Sequence, residues 1–297
     1  MFKLIFIRIF IFFLSLTNVA FPQLNADTRQ SKHELAVVCM FYNEAEYLKE
    51  WIEFHKLVGV DHFYLYNNNS DDHYEEVLSP YIQSGIVDLL NWPSPPHLLY
   101  TKYQCNAYRH CIKEHKHHAK WMAFIDTDEF IVPLCHSTIP EFLKEYESYG
   151  GVFVNWQCYG TSHLPYIPEE KLMVECLTLK YPWDHDKNCF YKTIAQPSKI
   201  KDYYIHGGSY KKGSYAVTPS FKKGPPKFPD IERIRINHYW TRAEDFFFNV
   251  KIPRVEEYSK RTITQEEIDE ILINSNSVED LTIYPFLPNL KEAMGYE

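Results

Sequence analysis

Between residues 34 and 132, apolar positions fall into short runs that switch repeatedly between two spacings. Residues 34–41 (ELAVVCMF) form a sharply bounded apolar run, the pattern of a strand buried on both faces. Leu48, Trp51, Ile52, His55 and Val58 then recur at helical spacing, predicting a helix over 44–58 with one buried face. Strands are predicted at 60–66, 86–90 and 120–126, with helices at 72–83 and 99–118 between them and a brief hydrophobic piece at 130–132. This β-α-β-α-β-α-β order implies a parallel sheet with right-handed crossovers and helices on both faces.

Ligands of open parallel sheets sit beyond the carboxyl ends of the strands. Strand one ends in Tyr42-Asn43-Glu44, strand two in the run Asn67–Asp72, and strand four in Asp126-Thr127-Asp128-Glu129. Three polar clusters are thus expected at one edge of one sheet. Past residue 133 the pattern changes. A helix is expected at 137–149, strands at 151–157, 172–179 and 189–195, and helices near 243–260 and 264–273. Residues 196–235, rich in Pro, Gly, Lys and Tyr, show no period. No linker divides residues 34–260, which predicts one domain whose second half supplies the acceptor side of a cleft, with residues 261–297 as a C-terminal helical extension.

Composition narrows the chemistry. Of 297 residues, 45% are hydrophobic and 24% charged, which is ordinary for a globular chain. The net charge of −8 and the absence of a basic stripe speak against nucleic acid as a partner. Ten glycines, about half the usual share, make a glycine-rich phosphate loop improbable and leave phosphate binding to a metal or to basic side chains. Seven cysteines without a C-x-x-C pair indicate neither a zinc ribbon nor a regular disulfide framework. The apolar run at 4–16, interrupted by Arg8, predicts a signal peptide or membrane anchor over residues 1–26, followed by a polar linker at 27–33. Lys3 and Arg8 favour a cytosolic N-terminus if the segment is retained.

Asp126 and Asp128 alternate across Thr127 at the end of an apolar strand. Carboxylates in a cleft need a counter-charge, and hard oxygen ligands suit Mg2+ or Mn2+, which also bind substrate phosphates. The bland reading is an acidic turn leading into the next element. Glu44 can likewise serve only the N-terminus of its helix, with Asn43 as cap, and Asn67–Asp72 can be only a turn. His110, His115, His117 and His118 read as a solvated helix face, whereas His206 and His238 are better ligand candidates. Trp156, Tyr159, Trp183, Tyr239 and Trp240 suit the apolar face of a sugar, though an aromatic is more often core than platform.

The stretches 39–72 (CMFYNEAEYLKEWIEFHKLVGVDHFYLYNNNSDD), 104–115 (QCNAYRHCIKEH) and 120–133 (KWMAFIDTDEFIVP), with weaker ones at 154–163, 191–200 and 235–251, resemble the inverting glycosyltransferases of family 92. The resemblance spans residues 34 to about 255. It implies a GT-A fold: an α/β, Rossmann-like, mostly parallel sheet flanked by helices, with an irregular acceptor-side half. It further implies that Asn43, Glu44, Asn69 and Asp72 face the nucleotide of a UDP-sugar or similar donor. Asp126 and Asp128 would engage ribose and Mn2+ or Mg2+, and His238 would complete the metal site. Gln104 and Arg109 would reach the donor sugar or diphosphate. Apart from the resemblance, Lys192 and Arg242 are candidates to offset donor phosphate charge, or else ordinary surface pairs. Where the family turn usually begins with Asp, this chain has Asn67 and Asn68.

The implied reaction moves a sugar, galactose by family association, to a hydroxyl of a glycan or other acceptor. Inversion needs a base at that hydroxyl. Asp184, Asp186, Glu232, Glu244 and Asp245 all lie in the acceptor half, and Asp184 and Asp186 stand beside Trp183. A donor-using fold behind a leader points to a Golgi-type lumen or a bacterial inner membrane, with export as the remaining course. Two other readings stay open: a glycan-binding protein without turnover, and a metal-dependent phosphoesterase.

Overall fold

His33–Phe41 form strand β1, whose successive side chains enter opposite faces of a sheet. Leu35, Val37, Cys39 and Phe41 join one core cluster, and Ala36, Val38 and Met40 join another. Burial on both sides accounts for the unbroken apolar run. The structure is a computed structural model that describes residues 31–95 and 100–296. The expected leader lies outside the described residues, as does the linker up to residue 30.

From β1 the chain passes through α1 (Ala45–Leu57) to β2 (His62–Asn67), through α2 (Tyr74–Gln83) to β3 (Val87–Asn91), and through α3 (Tyr100–His115) to β4 (Ala119–Phe124). The four strands pair in parallel in the order β3-β2-β1-β4. α1 buries Leu48, Trp51, Ile52 and His55 and is closed by Gly59, whose φ of +98° suits glycine. A Cβ there would lie 2.7 Å from Pro140 Cδ, so the site also demands the missing side chain.

The second half comprises β5 (Glu129–Pro133), α4 (Ile139–Leu143), β6 (Gly151–Cys158), α5 (Met173–Cys176), β7 (Leu179–Lys180), β8 (Tyr191–Ala195), β9 (Ile200–Tyr203), β10 (Gly208–Tyr210), β11 (Ala216–Val217) and β12 (Ile234–His238). Then follow α6 (Glu244–Phe246), a π-helical turn (Phe247–Lys251), α7 (Ile252–Ser259), α8 (Gln265–Ser275), β13 (Val278–Glu279) and α9 (Leu287–Met294). The main sheet continues β4-β8-β6-β12-β5, with β11 on β6. β8 runs antiparallel to β4 and β6, β12 parallel to β6, and β5 antiparallel to β12. The α/β class is as expected, but this half of the sheet is mixed rather than parallel.

Several local expectations are corrected. Residues 172–179 do not form a strand: Met173–Cys176 is a short helix, because Glu50 on α1 accepts the backbone N–H groups of Met173 and Val174. The helix predicted at 137–149 ends at Leu143 and tightens into a 3-10 turn. β12 was not anticipated, although Ile234 and Ile236 show strand alternation. The helix expected at 243–260 is interrupted by the π-helical turn. All seven cysteines are free. Ser31–Glu297 pack as one compact unit, into which the last residues are tied by β13 pairing with β7 and by Lys49 donating to Met294 O.

Candidate active site

Strand directions bring the candidate residues to one edge. β1, β2, β4, β6 and β12 end there, and β5 and β8 begin there. This gathers Asn43, Asn67–Asp72, Asp126, Asp128, Glu129, Lys192 and His238. The crossing from β4, inside the sheet, to β5 at its far edge is made by the Asp126–Asp128 turn itself.

Asn43 and Asn69 take left-handed backbone angles (φ 52° and 62°), which Asn tolerates better than most residues. Their two turns are stitched together. Asn43 Nδ2 donates to Asp71 Oδ1 at 2.6 Å, Asp71 N donates back to Asn43 Oδ1 at 2.9 Å, and Asn43 N donates to Ser70 Oγ at 2.9 Å. Asp72 Oδ2 accepts from Ala45 N at 2.8 Å and so caps the start of α1. Asn67 and Asn68 hold the turn from beneath, accepting from Ser70 N and Ser94 N. An open cleft of about 550 Å³ lies against this surface, between Asn43, Asp72 and Tyr47 on one side and Phe246, Asn249 and Arg254 on the other.

The D-x-D carboxylates have separate partners. Asp126 accepts from Gln104 Nε2 at 2.5 Å and from Lys192 Nζ at 2.7 Å. Asp128 Oδ1 lies 3.4 Å from His238 Nε2, while Asp128 Oδ2 accepts from Lys251 Nζ at 3.0 Å. Burial acts to raise the Asp128 carboxyl, but Lys251 and His238 outweigh it and hold the group well below the usual carboxylate range. Burial acts to lower the Lys192 ammonium, and Asp126 and Glu129 overcome it in the other direction.

Glu44 is buried and paired with the buried Arg242, while Arg254 Nη1 reaches its other oxygen at 3.1 Å. Arg242 stacks on Tyr47, 3.5 Å from the ring centroid, and has φ 52°, a strained angle for a residue other than glycine. The expectation that Asn43 caps α1 with Glu44 serving its N-terminus is corrected: Glu44 occupies the cap position but makes no side-chain cap bond, because its carboxylate is taken by the two arginines and Asp72 caps the helix instead.

Three expected residues are not in this group. Arg109 turns to the other side of α3, donating to Asp202 Oδ1 at 2.7 Å and lying over the Tyr204 ring. Asp184 and Asp186 are exposed in the loop 181–189 and bond to none of these residues among those described. Three more residues join this group: Glu129, named before only as part of a polar cluster, and Lys251 and Arg254, which were not singled out. Glu129 is fully buried; Oε2 accepts from Asp126 N at 3.0 Å, and Oε1 has no partner among the described residues. Burial pushes this carboxyl well above its usual range, against the pull of Lys192. Glu129 directly follows the acidic pair, so adjacency was its available signal; Lys251 and Arg254 had none beyond charge. Trp156 packs on His238 with ring centroids 4.3 Å apart, and its Nε1 has no partner among the described residues.

Residues 34–271 match the sequence model of glycosyltransferase family 92. The chain belongs to this family. A family 92 protein of Oryza sativa subsp. japonica is 34% identical over 126 residues, covering 42% of this chain and 20% of the relative. One from Arabidopsis thaliana is 30% identical over 155 residues, covering 48% and 26%. The chain thus matches about a quarter or less of the length of these relatives. Among solved structures, S. aureus TarS 1–349 is similar at 11% identity and a TM-score of 0.41, covering 86% of this chain and 73% of that one. Glucosyl-3-phosphoglycerate synthase from Mycobacterium tuberculosis, in a complex with Mn2+, UDP and glucosyl-3-phosphoglycerate, is similar at 17% identity and a TM-score of 0.29, covering 42% and 44%. Membership in family 92 agrees with the GT-A-type α/β architecture expected from the motifs.

Proposed function

We propose that the protein transfers a sugar, galactose in our reading, from a UDP-sugar to a hydroxyl of a glycan or other acceptor, with inversion and with Mn2+ or Mg2+. The observation that carries this reading is the Asp126–Thr127–Asp128 turn, whose two carboxylates point to different lysines, Lys192 and Lys251, at the ligand-binding edge of the sheet. Asp128 and His238 supply one oxygen and one nitrogen donor side by side, and among the described residues no third His, Cys, Asp or Glu joins them. Two protein donors fit a cation that takes its remaining ligands from a diphosphate and water. When bound, the ion supplies positive charge opposite the departing diphosphate.

The remaining work falls to the chain's own groups. The Asn43–Asp71 junction and Asp72 form the floor for the nucleoside, and the resemblance assigns Asn69 to the same floor. Gln104 and Lys192 fix Asp126 for the ribose. Lys251, Arg242 and Arg254 place fixed positive charge beside the diphosphate. As the acceptor oxygen bonds to the anomeric carbon, the carbon–oxygen bond to the diphosphate breaks. The acceptor proton goes to a carboxylate, assigned to Asp184 or Asp186. The apolar run at 4–16 serves as a signal peptide or tether that puts this site in a Golgi-type lumen or at a bacterial inner membrane.

Calorimetric titration of UDP with and without Mn2+ tests the reading. Mn2+-dependent binding that disappears in Asp128→Asn supports it. A folded protein that binds glycans but no UDP, GDP or CDP would replace it with the glycan-binding reading.

A further inference from the structure

A second cleft, of about 300 Å³, opens between the loop 181–189, Trp240 after β12, and helices α7 and α8. Its volume is at the low end of the roughly 300–1,000 Å³ of small-molecule sites, suited to one sugar unit rather than a nucleotide. Two contacts tie it to the acidic turn. Lys251, which donates to Asp128, lies 5.1 Å from the centroid of the Trp240 ring. On the other wall, Cys158 Sγ lies 3.8 Å from Lys187 O and 4.0 Å from His238 Nδ1. The cleft is therefore lined by residues one contact away from the Asp128–His238 pair.

Its lining has the chemistry of carbohydrate recognition. Trp240 and Tyr181 supply aromatic surface, and His185 packs on Tyr181 with centroids 4.4 Å apart. On α8, Glu270 and Asn274 follow each other at i, i+4 and so share the face that borders the cleft. Arg261 and Glu267 neutralise each other through contacts of 2.8 and 2.9 Å, and Lys187 balances Glu270, so the cleft carries little net charge. Hydroxyls of a sugar would meet a carboxylate and an amide, and its C–H face an indole.

We propose that this cleft is the acceptor subsite and that it takes a neutral pyranoside, stacked on Trp240 with hydroxyls on Glu270 and Asn274. The proposal rests on the glycosyltransferase reading. It also gives Asp184 and Asp186 a reason for their place, since both belong to the loop that forms one wall and flank the lining residue His185.

Saturation-transfer NMR on the whole protein, with saturating UDP and Mn2+, tests the proposal with methyl β-D-galactopyranoside, methyl α-D-mannopyranoside and methyl N-acetyl-β-D-glucosaminide as probes. At least one probe is expected to bind. Its affinity should fall about tenfold in Glu270→Ala, as for a lost hydrogen bond to a charged group, and similarly in Trp240→Ala. UDP affinity should be unchanged in Glu270→Ala. No binding of any probe, or binding indifferent to both substitutions, overturns the subsite. Loss of UDP binding by the unaltered protein would overturn the glycosyltransferase reading instead.

Discussion

Lys251 Nζ donates to Asp128 Oδ2 at 3.0 Å, joining the π-helical turn to the acidic turn 123 positions earlier. π-Helical turns recur at functional sites because the extra residue re-aims side chains, and here it precedes α7, whose Arg254 reaches Glu44. One short segment thus places two cations on two separate site carboxylates.

That ammonium opposes a divalent cation at Asp128 but assists a diphosphate. The two effects separate in Lys251→Met. Mn2+ affinity of the donor-free protein should rise about tenfold, the scale of one charge removed at short range under partial screening. UDP affinity measured without metal should fall. Electron paramagnetic resonance of free Mn2+ and calorimetry read the two; an unchanged Mn2+ affinity would show that Lys251 does not compete for the position of the ion.

Asp128→Asn should lose most transfer activity and the Mn2+-dependent part of UDP binding, yet melt cooperatively. Asp128 is buried beside Lys251 and His238, so the substitution leaves the Lys251 ammonium without its anion. Lys251 can reach solvent, which limits the stability cost to about 1–2 kcal/mol. Retained metal-dependent activity would remove Asp128 from the mechanism.

Lys192→Met should be costlier to the fold. Lys192 is fully buried, with Asp126 at 2.7 Å and Glu129 at 3.6 Å. Without the ammonium two carboxyl groups share the space with no cation between them, a change worth about 3–5 kcal/mol. Adding Glu129→Gln should recover part of it, because it removes the more deeply buried acid. Chemical denaturation of the single and double variants measures the coupling, and strictly additive costs would contradict the Lys192–Glu129 contact.

The parallel half of the fold was legible because each strand and helix there buries a local pattern against its sequence neighbours. β1 reads as apolar on both faces and α1 as one buried stripe. In the mixed half β6, β8 and α8 stand where they were expected, but the strand order was not legible, since it depends on distant pairings. β12 lies between β6 and β5, and its Arg235 is buried with Asp280, Asn237 and Tyr159 accepting from it, which hides the strand's polarity pattern. Residues 172–179 read as a strand by composition, but a carboxylate from α1 captures their N–H groups and fixes a helical turn. In the site, Asp126, Asp128 and His238 were visible as residue types, whereas Lys251 is an ordinary lysine until folding brings it to Asp128.

Two buried titratable groups on α1 should give the stability opposite slopes with pH. His55 Nδ1 donates to Trp51 O at 2.8 Å and Nε2 accepts from Ile131 N at 3.2 Å, which fixes a neutral ring; burial lowers its pKa from 6.5 to about 3. The unfolded chain therefore takes a proton that the folded chain refuses, and stability present above pH 6.5 is lost as pH falls toward 3. Glu50 is the reverse. Burial raises its carboxyl from 4.5 to about 7, overcoming the N–H bonds from Met173 and Val174. Its contribution is complete below pH 4.5 and lost as pH rises toward 7. Between 4.5 and 6.5 the two offset each other, each at about 1.4 kcal/mol per pH unit. Glu50→Gln removes one partner and should make stability climb with pH across that window more steeply than in the unaltered protein, whatever its effect on absolute stability. Denaturant titrations at pH 4.5, 5.5 and 6.5 give the slopes, and 15N NMR should find His55 neutral at pH 5. Equal slopes in the two proteins would mean that Glu50 titrates near its ordinary value, the N–H bonds at the start of α5 then balancing its burial.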